Sequence, residues 1–290
     1  MDFLRPLTWV DALTLKAERP EATPIQGGTD VMVEINLDKG RPAALLDLTP
    51  IAELREWSRE GGEIRVGAGV TYSRLIAELG AELPGLAQAS RTVGSPQIRN
   101  RGTVAGNLGA ASPAGDSHPP LLACGAVVEA ESVRGTRLIP IGEFYTGVKR
   151  NALAPDELIR AVRVPAAAGP QYFSKIGTRN AMVIAVCSFA VALDPSVRRV
   201  GTGIGSAAPT PRHAPRAEDF AAGALDWDGR GPLDPGAARR FGELVAASAA
   251  PIDDVRGRAA YRTHALAVMA RRALGWAWDD FRAGDRRGSA

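Results

Sequence analysis

The chain has 290 residues, 35 Lys+Arg against 32 Asp+Glu for a net charge of +3, and is 45% hydrophobic and 23% charged. That balance supplies a sizeable apolar core and excludes disorder as the main state. The longest apolar stretch, residues 182–193, falls well short of the ~20 residues that a bilayer-spanning helix requires, which excludes a membrane span.

The N-terminal run MDFLRPLTWVDAL carries acidic Asp2 and no basic leader before an apolar core, so no export signal is expected and a cytoplasmic location is. Residues 23–26 read as a short extended run, Gly27-Gly28 as a turn, and 31–37 as a helix with Thr29 or Asp30 as its N-cap. A buried strand is expected over 43–48, a strand over 63–67 and a helix over 73–79. Residues 94–116 hold five glycines and two prolines in 23 positions and read as one long ordered loop. A helical turn at Leu121-Leu122 precedes strands at 126–130 and 137–141. The small, proline-bounded VPAAAGP places a boundary near residue 168, dividing the chain into 1–168 and 169–290. Beyond it, 171–175, 182–193 and 199–206 read as three antiparallel strands, and the remainder as helical. Tyr261, Ala265, Val268 and Met269 fall on one helix face, with Asp253 or Asp254 near its start. The fold class is α+β.

The basic pairs Arg239-Arg240, Arg271-Arg272 and Arg286-Arg287 have no interleaved aromatics, so they read as solvated faces rather than a nucleic-acid surface. Cys124 and Cys187 form neither a CxxC pair nor an expected disulfide. His118, His213 and His264 show no HxxxH or HExxH spacing, so no metal ligands are assigned. No catalytic residue is assigned either; the chain must borrow its chemistry from a bound group.

Two loops offer the binding chemistry. In PIQGGTD (24–30), the glycines let backbone N–H groups approach an anion, although a plain strand–helix turn has the same form. In GSPQIRNRGTVAGNLGAASPAGD (94–116), Thr103 and Asn107 bracket a small-residue turn. Arg99 and Arg101 either supply positive charge or cap carbonyls. A diphosphate gripped between peptide loops needs two of them. No GxGxxG follows a strand and no GxxxxGK[ST] occurs. The GTGIG of residues 201–205 lacks the final glycine and reads as a strand end entering a loop.

On QGGTD, the block GSPQIRNRGTVAGN…ASPAGD and the tail DDVRGRAAYRTHALAVMARRAL, the chain resembles the FAD-binding medium subunits of molybdenum hydroxylases of the xanthine and carbon monoxide dehydrogenase type. The resemblance runs from about residue 4 to 274. It implies a two-subdomain FAD-binding domain like that of vanillyl-alcohol oxidase, then a C-terminal domain with a three-stranded antiparallel sheet and helices. It further implies FAD contacts from Gln26, Gly27, Gly28, Thr29, Asp30 and Val31, and from Thr103, Ala105, Gly106 and Asn107. Ala105 stands where the family carries the first of two glycines. The resemblance also carries over Asp116 toward the cofactor's sugar or ribityl region, Leu158 through its backbone, and Lys175 and Ile184 near the flavin ring. Lys175 reads equally as a strand-edge charge, and Ile184 as core. The implied role is electron transfer: a [2Fe–2S] partner feeds FAD, a molybdopterin partner oxidises substrate, and the assembly is a dimer of heterotrimers. Two alternatives stand beside it. One is a self-contained flavin dehydrogenase or oxidase, with His118 as the nearby candidate tether. The other is a non-catalytic assembly or sensor subunit that has lost FAD, which Ala105 would suit.

Overall fold

The computed structural model describes residues 1–287. The chain begins with β1 (Asp2–Leu4) and α1 (Trp9–Glu18), whose N-cap Thr8 accepts the Asp11 N–H on its hydroxyl. After β2 (Thr23–Ile25) and α2 (Val31–Asn36), β3 (Ala44–Asp47) enters between the first two strands, giving a parallel sheet in the order β1-β3-β2. All four residues of β3 are buried, as a central parallel strand covered on both faces requires. Asp30 sits at the N-cap of α2 but makes no side-chain capping bond.

A second layer follows. A 3₁₀ turn (Ala52–Arg55) leads into β4 (Trp57–Glu60), β5 (Glu63–Gly67), α3 (Tyr72–Glu78), α4 (Pro84–Thr92), α5 (Pro96–Arg99), α6 (Val104–Ala110) and α7 (His118–Cys124). Next come β6 (Val127–Ser132), β7 (Gly135–Pro140), α8 (Ile141–Phe144), the hairpin β8 (Tyr145–Gly147) and β9 (Arg150–Asn151), and β10 (Leu158–Pro165). Five of these strands form an antiparallel sheet, β4-β5-β10-β6-β7. The two sheets are the two subdomains of the N-terminal region.

The expected long loop at 94–116 is instead two short helices joined by a turn. Ser95 and Thr103 cap them, each accepting a backbone N–H three residues on, at Ile98 and Gly106. Glycine density signalled a loop, but two hydroxyl caps, one followed by Pro96, start helices in the same stretch.

The last region is the antiparallel sheet β11 (Gln171–Ile176), β12 (Cys187–Asp194) and β13 (Arg199–Gly205), covered by α9 (Pro215–Ala224), α10 (Pro235–Ala247) and α11 (Ala259–Arg287). The middle strand starts at Cys187 rather than 182, because Met182 adopts φ +49° in a turn. The buried side of α11 carries Ala265, Leu266, Met269, Ala270, Ala273, Leu274, Ala277 and Trp278, whereas Tyr261 is exposed and Val268 half-buried. The expected face was therefore rotated from the true one. Arg239, Arg240, Arg271 and Arg272 are exposed, and the Arg286 and Arg287 side chains lie outside those described.

Strand β12 belongs to two cores at once. Ala190 and Ala192 face the N-terminal core, and Phe189, Val191 and Leu193 face the C-terminal one, as a period of two dictates. Beside it, Gly201 and Gly203 of β13 meet α7 backbone to backbone. A Cβ on Gly201 would lie 2.0 Å from the Ala123 carbonyl oxygen, and one on Gly203 2.0 Å from that of Pro119. The GTGIG run is thus the seam between the two regions.

Candidate cofactor-binding cleft

The first glycine loop and the start of α6 wall one cavity of about 650 Å³. Gln26, Gly27, Gly28, Thr29, Asp30 and Val31 line it from one side; Thr103, Ala105, Gly106 and Asn107 line it from the other, with Leu158 also in the wall. Two glycines make this approach possible. A Cβ on Gly27 would lie 2.2 Å from the Arg101 carbonyl oxygen, and one on Gly102 3.3 Å from Thr29 Oγ1. Gly28 has φ +73°, a left-handed conformation that a side chain disfavours.

Gln26 Oε1 is buried without a partner, whereas the polar groups of the second wall are bonded. Thr103 Oγ1 accepts the Gly106 N–H at 3.0 Å. Asn107 Oδ1 accepts the Ser117 N–H at 3.3 Å. Ala105 is helical with negative φ, so the conformational cost that a left-handed alanine would carry does not arise. Arg99 donates to the Val93 and Gly94 carbonyls at 3.1 Å, so it caps carbonyls.

Asp116, Lys175 and Ile184 lie outside this cavity. The first two meet each other: Lys175 Nζ is 2.6 Å from Asp116 Oδ2, with both side chains buried. Thr92 completes the cluster, donating its hydroxyl to Asp116 at 3.0 Å and accepting from Lys175 on its carbonyl at 3.2 Å. Burial pushes the Asp116 carboxyl above its ordinary range, and Lys175 only partly pulls it back. With an ammonium at hydrogen-bond distance, we assign the carboxylate. Its other oxygen, Oδ1, is buried with no partner. Lys175 lines a second cavity of about 440 Å³, together with Arg91, Arg99 and Arg179. Residues 92–99 form a shared wall: Val93 and Ile98 face the first cavity, Thr92 and Arg99 the second. Ile184 is 53% exposed, so it is not core.

Several lining residues gave no sequence signal. Lys16 is buried, and its ammonium donates to the carbonyls of Pro20 (2.8 Å) and Ala22 (2.7 Å), bracing the turn before β2; burial lowers its pKa. Lys149, at the tip of the β8–β9 hairpin, pairs with Glu34 of α2. Tyr72, at the start of α3, is buried against the wall. These come from three separate segments, and only the fold brings them to the cleft.

His118 is fully buried and lines neither cavity. Its Nδ1 is 2.8 Å from the Tyr145 hydroxyl, and burial pulls its pKa down to about 3. Both cysteines are free and buried, their thiols pushed up to about 12 by desolvation. Among the described residues, no group of three His, Cys, Asp or Glu could hold a metal, and no helix is long and apolar enough to cross a membrane.

Comparison with known proteins covers nearly the whole chain. Residues 1–167 match the family described as FAD binding domain in molybdopterin dehydrogenase. Residues 172–277 match the CO dehydrogenase flavoprotein C-terminal domain. The chain is 32% identical over 280 residues to a putative xanthine dehydrogenase FAD-binding subunit of Escherichia coli (strain K12), covering 93% of each. It is 32% identical over 281 residues to the carbon monoxide dehydrogenase medium chain of Afipia carboxidovorans, covering 94% and 95%. A crystal structure of a Cu,Mo-CO dehydrogenase in its cyanide-inactivated form contains a chain that superposes with a TM-score of 0.88 at 30% identity, covering 98% of each.

Proposed function

The chain belongs to the FAD-binding family of the molybdopterin dehydrogenases, and from that premise we propose that it is the FAD-carrying electron-transfer subunit of a multi-subunit molybdenum hydroxylase. It receives electrons from the [2Fe–2S] clusters of one partner while a molybdopterin partner oxidises the substrate, and it delivers them to an external acceptor. We further infer a FAD-binding domain over 1–168, a C-terminal domain over 169–290, a dimer of heterotrimers, and a cytoplasmic location.

The observation that carries this reading is the closure of two glycine loops on one cleft at a distance that excludes a Cβ. The donor set fits a dinucleotide diphosphate: backbone N–H groups at small residues, a carboxamide, and no carboxylate between Thr103 and Asn107. Bound FAD supplies the redox chemistry, and the protein supplies binding, orientation and electrostatics. The chain's own residues divide that work. Gly27 and Gly28 bring the backbone close. Thr103 starts α6 at the cleft wall. Asn107, its Oδ1 held by the Ser117 N–H, would present its amide N–H₂ to the anion. Leu158 lines the wall, and the Lys175–Asp116 ion pair, neutral as a unit, sets a fixed dipole behind the shared wall. The His118 tether that a self-contained flavin enzyme would use finds no support, since the ring is enclosed and bonded to Tyr145.

The test is to purify the chain with its partners and alone. The reading expects a yellow protein that releases FAD on acid precipitation. Flavin retained after acid would favour the self-contained enzyme, and a colourless protein the subunit that lost FAD. Gly27→Val should part the loops and cut flavin occupancy at least about tenfold, since the added methyls meet a backbone carbonyl that cannot yield. A Gly27→Val protein with full flavin content would remove this cleft as the site.

A further inference from the structure

We propose that Tyr72 is a positioning residue of the cleft, which through Ser117 fixes which end of the Asn107 amide points at the bound anion. The inference rests on the reading of Asn107 as a diphosphate contact.

Three consecutive residues at the start of α3 clasp the segment that leads into Thr103. Thr71 pairs with Thr103 as an isolated antiparallel bridge. The Tyr72 N–H donates to the Gly102 carbonyl at 3.0 Å. Ser73 Oγ donates to Asn100 Oδ1 at 2.6 Å. The Tyr72 side chain, 2% exposed, then reaches the far end of the same block, where its hydroxyl lies 2.9 Å from Ser117 Oγ. One residue thus holds both ends of the stretch that carries Asn107.

The second hold determines polarity. Fully buried Ser117 donates its backbone N–H to Asn107 Oδ1 at 3.3 Å. A carboxamide has one acceptor oxygen and one donor nitrogen. With the oxygen committed to the protein side, the amide N–H₂ is the end left for the cleft, which Asn107 lines. The flipped amide would set donor against donor at Ser117 and an oxygen against the anion, so it is disfavoured at both ends. The turn is moulded to this arrangement: a Cβ on Gly115 would lie 2.8 Å from Asn107 Oδ1 and 2.2 Å from His118 Nε2. Burial pushes the Tyr72 hydroxyl far above its ordinary range, so it stays a protonated partner for Ser117.

The experiment strips flavin from the assembled enzyme and titrates FAD back, following the quenching of flavin fluorescence, with native, Tyr72→Phe, Asn107→Ala and doubly substituted proteins. Tyr72→Phe keeps the ring and removes one hydrogen bond, so FAD should bind about 3- to 10-fold more weakly. In the Asn107→Ala background the same change should have no further effect, because the two residues act through one interaction. Equal losses in both backgrounds, or no loss in Tyr72→Phe while Asn107→Ala binds weakly, would overturn the positioning role alone. Native affinity in Asn107→Ala would overturn the diphosphate contact and this inference together. Ser117→Ala breaks the same link from the other side and should behave as Tyr72→Phe does; it serves as the test if the phenylalanine variant does not fold.

Discussion

The cleft and the C-terminal helical layer are built on opposite principles. In the C-terminal region large side chains fill space: Trp278 and Phe241 are fully buried, Trp227 meets Trp278 edge-on at 5.4 Å, and Phe189 meets Phe241 at 6.2 Å. Stability there comes from atoms present, and removing them leaves cavities. In the cleft, glycines, alanines and hydroxyl caps let backbones touch, and the shape of the cavity depends on atoms left out. The seam at β13 is the place where the C-terminal region adopts the cleft's principle, omitting side chains so that α7 can dock on the sheet.

The largest effect expected is therefore at that seam rather than at the cleft. Gly203→Val would drive a Cβ to 2.0 Å from the Pro119 carbonyl oxygen and 2.6 Å from its carbon, both backbone atoms. Relief requires α7 to lift from β13, opening both cores. A loss of about 3 kcal/mol or more is expected, seen as a lower urea midpoint or loss of soluble protein. A Gly203→Val protein as stable as the native chain would mean that the seam is compliant, and the contrast between filled and emptied regions would fail where it matters most.

The next effect sharpens the contrast by pH. His118 lies fully buried at the start of α7, and its folded pKa is lowered from 6.5 to about 3. Above pH 6.5 both folded and unfolded chains hold it neutral, so it contributes nothing to the pH dependence. As pH falls below 6.5 the unfolded chain binds a proton that the folded chain refuses, and stability drops by up to about 1.4 kcal/mol per pH unit until near pH 3. Between pH 7 and 4.5 this one ring should cost on the order of 2–3 kcal/mol. Urea denaturation across that range should show the slope in the native protein and a shallower one in His118→Gln. Equal slopes would mean that the ring is open to water.

The chemistry of the cleft was legible in the sequence where it depends on what a residue is. Gly27-Gly28 between a strand and a helix, and Thr103 and Asn107 around a small-residue turn, do line the two walls, although a plain strand–helix turn carries the same glycines and it was the pairing of two such loops that pointed to one site. Long-range company was not legible. Asp116 and Lys175 were each assigned to the cofactor separately, and nothing in their spacing announces a 2.6 Å pair. Lys16, Tyr72 and Lys149 reach the cleft only because the sheets bring distant segments together. Local signals also competed. Glycine density outweighed the caps at Ser95 and Thr103, and Tyr261 suggested a helix face that packing against α10 and β12 rotates toward Leu266 and Ala270. The GTGIG run reads as structural from its sequence, but its role as a docking surface for α7 needs the third dimension.

The smallest effect tests whether the mouth of the cleft follows the cleft's principle or that of an ordinary surface. Lys149 and Glu34 join the β8–β9 hairpin to α2 across the opening, with side chains 51% and 41% exposed. So exposed a pair is worth no more than about 1 kcal/mol and is screened by salt. The hairpin has a second tie, from Asn151 Nδ2 to the Gly109 carbonyl at 3.0 Å, so it should stay in place without the first. Lys149→Met should thus leave stability unchanged and speed FAD release by no more than about fivefold at low ionic strength. The difference from native should vanish near 0.5 M salt, where the screening length shrinks to roughly the contact distance. Release rates measured by dilution into an excess of a FAD-specific apoprotein such as apo-glucose oxidase would show this. An acceleration above tenfold that survives salt would mean that the lysine stem closes the mouth by packing, and the rule of omitted atoms would end at Asn107.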